Sequence, residues 1–232
     1  MNNMTIISIR QPGYLPHAGF FKKIQSTDIF VILDDVQYER GDWDNRNKIK
    51  MYNGTQWLTV PIHNKFGSML NEVKIDNTHN WSKKHKSVIK FNYQKSQFFE
   101  DYWNDVENIL DKKWEKLIDL NCTLIDYFIL KLNIKTKIIY SSEFKIKKSG
   151  SEKLLEICKN LNASEYLSGE LGINYLKKEI FDDANIKVIF ERFEHPTYNQ
   201  IHGKFIPNMS IIDLLFNEGG KAKKILEKSQ NY

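Results

Sequence analysis

Two adjacent carboxylates, Asp34 and Asp35, close an unbroken apolar run from Ile29 to Leu33. Carboxylates at the end of a buried strand can act as a general base, a metal ligand or an anchor for a hydroxyl. Successive side chains on extended backbone point to opposite faces, so one of the pair is expected to face a site. A solvated turn is the alternative. Downstream stand Gln37, Arg40, Trp43, Asn45, Arg46 and Asn47. An arginine offers a planar fork for phosphate or carboxylate, an asparagine both a donor and an acceptor, and a tryptophan a surface for a ring. This set reads as a substrate-binding loop, with Arg46 as the expected anion contact.

A second group follows the short β-branched run Ile6 to Ile9: Gln11-Pro12-Gly13-Tyr14-Leu15-Pro16-His17-Ala18-Gly19. Proline cannot continue a strand ladder and pushes its predecessor toward extended geometry. The strand must end here, in a stiff loop feeding a helix whose first amides can hold an anion. His17-Ala18-Gly19-Phe20 is similar to the His-x-Gly-His signature of adenylyl and cytidylyl transferases, with Phe20 where the second histidine stands. Gln11 and Tyr14 are expected to bind substrate and His17 to take part in catalysis; a structural turn with a partly exposed histidine is the other reading.

Two further clusters lie late in the chain. In Tyr166-Leu167-Ser168-Gly169-Glu170-Leu171-Gly172-Ile173-Asn174-Tyr175 the glycines would let backbone amides approach an anion. Ser168, Gly169, Gly172 and Tyr175 are the binding candidates, although simple turn glycines also fit. The Walker ending and the full dinucleotide fingerprint are absent. In Tyr198-Asn199-Gln200-Ile201-His202-Gly203, Gln200 is expected to bind substrate and His202 to serve as a base. Ser210 followed by Asp213 predicts a capping-box helix start. Ser141-Ser142 could supply a nucleophile, but no base can be paired with it from sequence.

The elements that must position these groups read as α/β. Strands are predicted at Ile6–Ile9, Ile29–Leu33, Lys137–Tyr140, Tyr166–Leu167 and Lys187–Phe190. Asn53-Gly54 predicts a hairpin between Lys48–Tyr52 and Gln56–Ile62, and Val73–Ile75 a short strand. Helices are expected at Phe20–Gln25, at Ser82–Tyr93 with Ser82 as cap, and at Gln97–Asp111 and Trp114–Leu132. Later ones are expected at Ser151–Leu161, Gly172–Phe181 (a loop-helix), Ile211–Phe216 and Lys221–Lys228. The fold class is therefore α/β: a mostly parallel sheet with flanking helices, in nucleotidyltransferase-like or Rossmann-like layering. A helical insertion over about residues 80–133 interrupts what reads as a single domain.

Composition excludes some classes. No stretch approaches the roughly 20 apolar residues of a membrane span. The net charge of +5 is mild and the lysine pairs are dispersed, as on a solvated surface rather than a nucleic-acid groove. Cys122 and Cys158 sit in apolar helical patterns and read as reduced core thiols, consistent with a cytoplasmic protein. Zinc-finger, His-Glu-x-x-His and Gly-x-Ser-x-Gly spacings are missing, and no metal site is expected. His63, His79 and His85 read as ordinary surface or core residues.

The chain also resembles the WbqC-like family. The resemblance rests on Gln11-Pro12-x-Tyr14-Leu15-Pro16, Asp34-Asp35-x-Gln37-Tyr38, Asn45-Arg46-Asn47, Trp57-Leu58-x-Val60-Pro61, Tyr166-Leu167-Ser168-Gly169 and Ser210-Ile211-Ile212-Asp213-Leu214-Leu215-Phe216. It spans Ile7 to about Gly219; His17 falls where the family pattern suggests an aromatic residue. It implies a setting in bacterial O-antigen, capsule and glycan biosynthesis, and a cytoplasmic enzyme modifying a nucleotide-linked sugar, often an amino sugar. It assigns no catalytic residue.

Three functional classes follow. The first is a transferase passing an acyl, aminoacyl or related group to the amine of a nucleotide-linked sugar. The second is an ATP-dependent ligase or nucleotidyltransferase-like enzyme, and the third a non-catalytic nucleotide-sugar-binding protein of the same pathway. The expected partners are the nucleotide-linked sugar and a small-molecule group donor, with an acyl donor or ATP as the open cofactor choices. A homodimer is compatible with the chain.

Overall fold

A computed structural model describes residues 4–63 and 67–229. In chain order the elements are β1 Ile6–Arg10, α1 Ala18–Gln25, β2 Ile29–Ile32, β3 Arg46–Met51, β4 Gly54–Thr59, β5 Ile62–His63 and β6 Lys74–Ile75. Then come α2 Trp81–Tyr93, α3 Phe99–Asp111, α4 Leu117–Lys131, β7 Lys137–Tyr140, α5 Gly150–Asn160 and β8 Glu165–Gly169. The last are α6 Lys178–Asp182, β9 Lys187–Glu191, α7 Ile211–Glu218 and α8 Ala222–Lys228.

Five strands form one parallel sheet in the order β7-β2-β1-β8-β9. The chain starts in the middle, builds outward through β2 to β7, then returns past β1 to lay down β8 and β9. That is Rossmann-like layering, and its strand order reverses between β1 and β8. Ligands of such sheets bind outside the carboxyl ends of the strands at that switch point.

Alternation along the strands divides the core. Ile7, Ile9 and Val31 face one cluster with Leu154, Ile157, Tyr166 and Phe181. Phe30 and Ile32 face the other, with Phe20, Phe21 and Ile24 of α1. That second cluster runs on without a break into the helical insertion α2–α4, through Ile89, Tyr93, Val106, Leu117 and Leu124, and into α7. Both cysteines are free and buried, and burial pushes each thiol up to about 12.

Some local expectations shift. In the hairpin, Met51 pairs with Gly54, so Tyr52 and Asn53 make the turn and Gly54 supplies the positive φ of 115°. The pairing extends back to Arg46 and stops at Thr59; Ile62–His63 leaves to pair with β6. Helix α2 begins at Trp81, after Asn80, and Ser82 is not its cap. The Ser82 hydroxyl donates to the Leu110 carbonyl instead, joining α2 to α3. The predicted loop-helix at 172–181 is a 3₁₀ turn, Glu170–Asn174, followed by the short α6.

The capping box at Ser210 does not form either. Asp213 is buried, and its carboxylate accepts from the hydroxyls of Tyr93 (2.7 Å) and Tyr198 (2.8 Å). Two charge-assisted bonds in a dry interior outcompete one local cap. The Tyr93 bond clamps α7 to the insertion, and the Tyr198 bond ties it to the loop after β9.

Candidate functional site

The carboxyl ends of β1 and β8, where a crevice is expected at the switch point, gather charge that the fold leaves incompletely paired. Strand β1 ends on Arg10, whose guanidinium is half-buried and lies 5.9 Å from the Phe20 ring. It makes no hydrogen bond or ion pair among the described residues, although Asp42, Glu191 and Asp44 act on it electrostatically. Burial lowers its pKa and outweighs their attraction. Beside it, Lys23 of α1 and Glu191 at the end of β9 form a buried ion pair at 3.2 Å. Burial holds the lysine down at about 8 and the glutamate above its usual range, so desolvation exceeds their mutual attraction. Glu191 Oε1 has no partner.

Strand β8 contributes the floor. Ser168 is buried, and a Cβ on Gly172 would lie 2.1 Å from its hydroxyl. Residue 172 must therefore be glycine for the 3₁₀ turn to close over the strand end. A Cβ on Gly169 would lie 3.4 Å from Lys23 Nζ, an ordinary contact. Tyr175 stands exposed at the rim, close enough to act on Arg10.

His17 guards the other side. Its Nδ1 accepts the Gly19 amide at 3.0 Å, so the side chain is the N-cap of α1. That bond fixes the neutral tautomer with its proton on Nε2. Burial, then the neighbouring Arg10, His195 and Lys23, push its pKa down to about 3. His17 is thus a neutral donor, unsuited to act as a base near pH 7. A Cβ on Gly19 would lie 2.7 Å from both His17 Cε1 and a Phe193 ring carbon, which explains the glycine. His195 is bonded through Nδ1 to the Pro196 carbonyl (3.0 Å), and its buried Nε2 is unpartnered.

The fourth wall is the loop through Asp44. Asn121 Nδ2 donates to the carbonyls of Pro12 (3.0 Å) and Asp44 (2.7 Å), and the Tyr14 amide donates to the Asp44 carbonyl (3.1 Å). The loop is therefore pinned to the exit of β1. The Asp44 carboxyl is 3% exposed and its Oδ2 has no partner. Burial, reinforced by Asp42 and Glu39 and opposed by Arg10, raises its pKa to about 7. A carboxyl poised there exchanges protons near neutral pH.

Of the residues singled out from sequence, His17, Ser168, Gly169, Gly172 and Tyr175 lie around Arg10 and Lys23 at these strand ends, and Gln11 directly follows Arg10 at the end of β1. Others take structural partners. Asp34 Oδ1 accepts from the Ser141 hydroxyl (3.0 Å) and the Ser142 amide (2.9 Å). Asp35 pairs with Lys153 at 2.7 Å and also meets the Ser141 hydroxyl. Tyr14 is buried against His85 Nδ1 at 3.0 Å. Asn45 donates to Val60, and Asn47 to Leu15. Gln200 braces both the amide and the carbonyl of Ile206, and His202 Nε2 meets the Asn92 carbonyl at 2.9 Å. Gln37 is exposed, its backbone paired with Met69. Arg40, Trp43 and Arg46 gather at the hairpin, with the Trp43 carbonyl also accepting the Tyr14 amide at 3.3 Å past the exit of β1.

Arg10, Lys23, Asp44, Glu191 and His195 were not apparent from sequence. Arg10 was the one with a signal: it ends an alternating strand just before Gln11. Among the described residues, no group of three or more His, Cys, Asp or Glu is placed to hold a metal.

A five-stranded parallel sheet in Rossmann-like order, with flanking helices and a helical insertion, defines the class: an α/β protein with charged groups at the switch point of its sheet. Residues 11–225 match the WbqC-like protein family, and the chain belongs to it. It is also 35% identical over 227 residues to "Uncharacterized protein Rv1507c" of Mycobacterium tuberculosis (strain ATCC 25618 / H37Rv), covering 96% of this chain and 98% of that protein. No solved structure matches the chain. No helix among the described residues is long and apolar enough to cross a membrane.

Proposed function

We propose that the β1/β8 crevice binds a nucleotide-linked amino sugar and that the protein transfers an acyl or aminoacyl group to the sugar amine. The observation that carries this reading is the unpaired Arg10 guanidinium at the switch point, with a near-neutral carboxyl, Asp44, beside it. Arg10 would hold the diphosphate through its planar fork, with Lys23 adding charge. The sugar amine attacks the carbonyl of an activated acyl donor, forming the C–N bond. Asp44 takes the proton released by the amine. His17 Nε2–H donates to the oxyanion that develops on the carbonyl oxygen, and the donor's leaving group departs when the carbonyl re-forms. A neutral histidine suits that role because it stabilises negative charge without surrendering a proton.

Thermal-shift measurements over a panel of nucleotides and nucleotide-linked amino sugars test the ligand. Amino-sugar forms are expected to stabilise the protein more than free nucleotides. Turnover with acyl-thioester, formyl-folate or ATP plus a carboxylic acid then identifies the donor. No stabilisation by any nucleotide-linked sugar would refute the reading.

A further inference from the structure

The hairpin carries a cleft of about 450 Å³, whose lining includes none of Arg10, Lys23, Asp44 and Glu191. Tyr38, Arg40, Asn45, Arg46, Thr59 and Ile62 line it. Asn45 and the Arg46 Nη2 have protein partners, but three other donor groups along it have none among the described residues. Arg40 is exposed and makes no ion pair or hydrogen bond among the described residues. Tyr38 is 6% exposed, lines the cleft, and its hydroxyl has no partner among the described residues. Arg46 Nε is buried and unpartnered.

The cleft is also preorganised. The Arg46 guanidinium lies 4.5 Å over the Trp57 ring and donates to the Gly41 carbonyl. Lys48 Nζ lies 4.8 Å over that ring as well. Trp43 packs against Trp57 at 5.2 Å, and both tryptophans stay partly exposed at the rim. Stacking keeps Arg46 in one orientation, so less side-chain freedom is lost when a ligand arrives. The volume lies within the range of small-molecule sites.

We infer that this cleft binds a small anion, a phosphate or carboxylate, through Arg40, Tyr38 and Arg46. Resting on the two-substrate reading above, the anion belongs to the group donor. The loop from Gly41 to Asn45 lies between the two sites: Asp42 and Asp44 act on Arg10 and also on Tyr38, and Gly41 and Asn45 border the cleft. A donor anchored on Arg40 and an acceptor anchored on Arg10 would meet across that loop, beside Asp44.

Isothermal titration calorimetry with pyrophosphate and with citrate tests the inference. Saturable binding of at least one anion is expected. Measured in the Arg10→Ala background, which removes the diphosphate contact proposed at the strand ends, Arg40→Ala should weaken it at least tenfold and Tyr38→Phe at least threefold. Arg40 is exposed, so its variant is expected to fold, and circular dichroism checks this. No binding of either anion, or binding lost with Arg10→Ala but kept with Arg40→Ala, would overturn the inference. Neither result touches nucleotide-sugar binding in the crevice, which is read separately through Arg10.

Discussion

Two regions along the carboxyl ends of the parallel strands, one at the sheet edge and one at its centre, carry charge and use it differently. At the β2/β7 edge, Asp34 and Asp35 meet Ser141, the Ser142 amide and Lys153, and each carboxylate finds partners. At the β1/β8 crevice, Arg10 is unpaired, and Asp44 Oδ2, Glu191 Oε1 and His195 Nε2 are buried without partners. A satisfied cluster joins strands and holds the sheet edge. A cluster left unsatisfied at a switch point costs folding stability, and a ligand can recover that cost. The adjacent aspartates look like a site in sequence, and in the structure both carboxylates have protein partners.

If the contrast holds, changes in the crevice move chemistry, and changes at the edge move stability. The largest effect is expected at Asp44. Asp44→Asn removes the base and should lower kcat by about 10²- to 10⁴-fold in the acyl-transfer assay. The wild-type kcat/KM should rise with pH through about 7, and that rise should vanish in the variant. Stability moves the other way. The folded carboxyl binds its proton more tightly than the unfolded one, so folding loses stability between about pH 4 and 7. Asp44→Asn should therefore stabilise the fold at pH 8, on the order of 1–2 kcal/mol, and hardly at pH 4. Urea melts at the two pH values read this directly.

The edge should behave in the opposite sense. Lys153 is buried, and its Nζ donates to both the carboxylate (2.7 Å) and the backbone carbonyl (2.9 Å) of Asp35. Lys153→Ala should cost about 3 kcal/mol of unfolding free energy, because a partly buried carboxylate loses its partner. Nucleotide-sugar affinity should stay within twofold. A large loss of affinity at intact stability would mean that the edge also belongs to the site.

The smallest effect separates two duties of one residue. His17→Ala removes the α1 cap and should cost about 1 kcal/mol. His17→Asn can still accept the Gly19 amide but lacks the Nε2–H donor. It should keep most of the stability and still lose turnover. Nitrogen-15 NMR on the wild type should find the Nε2–H tautomer and no protonation of His17 between pH 5 and 8. Protonation near pH 6 would remove it as a neutral donor.

Sequence periodicity located every strand of the parallel sheet and the helical insertion, because those patterns are local. Even the resemblance, carried by Gln11-Pro12, Asp34-Asp35 and Tyr166-Leu167-Ser168-Gly169, follows strand ends that periodicity marks. The partners were not legible. Lys23 sits in a lysine pair that looks like surface, and only the β8–β9 crossing brings Glu191 onto it. Asp44 is an ordinary polar loop residue until Asn121, from the helical insertion, pins its backbone and burial raises its pKa. Ser210 and Asp213 fit a local capping rule, but two distant tyrosines claim the carboxylate. Gln200 and His202, both expected at the site, brace their own loop and the end of α2. In each case tertiary desolvation, which no short window encodes, decides between a cap, a brace and a site.

The most direct test is calorimetric titration of a stabilising nucleotide-linked sugar into the wild type and two variants, Arg10→Ala and Lys153→Ala. If the crevice holds the diphosphate, Arg10→Ala weakens binding by about a hundredfold, as for a lost charge-assisted pair, and Lys153→Ala binds as the wild type does. Unchanged affinity in Arg10→Ala would contradict a ligand site at the switch point.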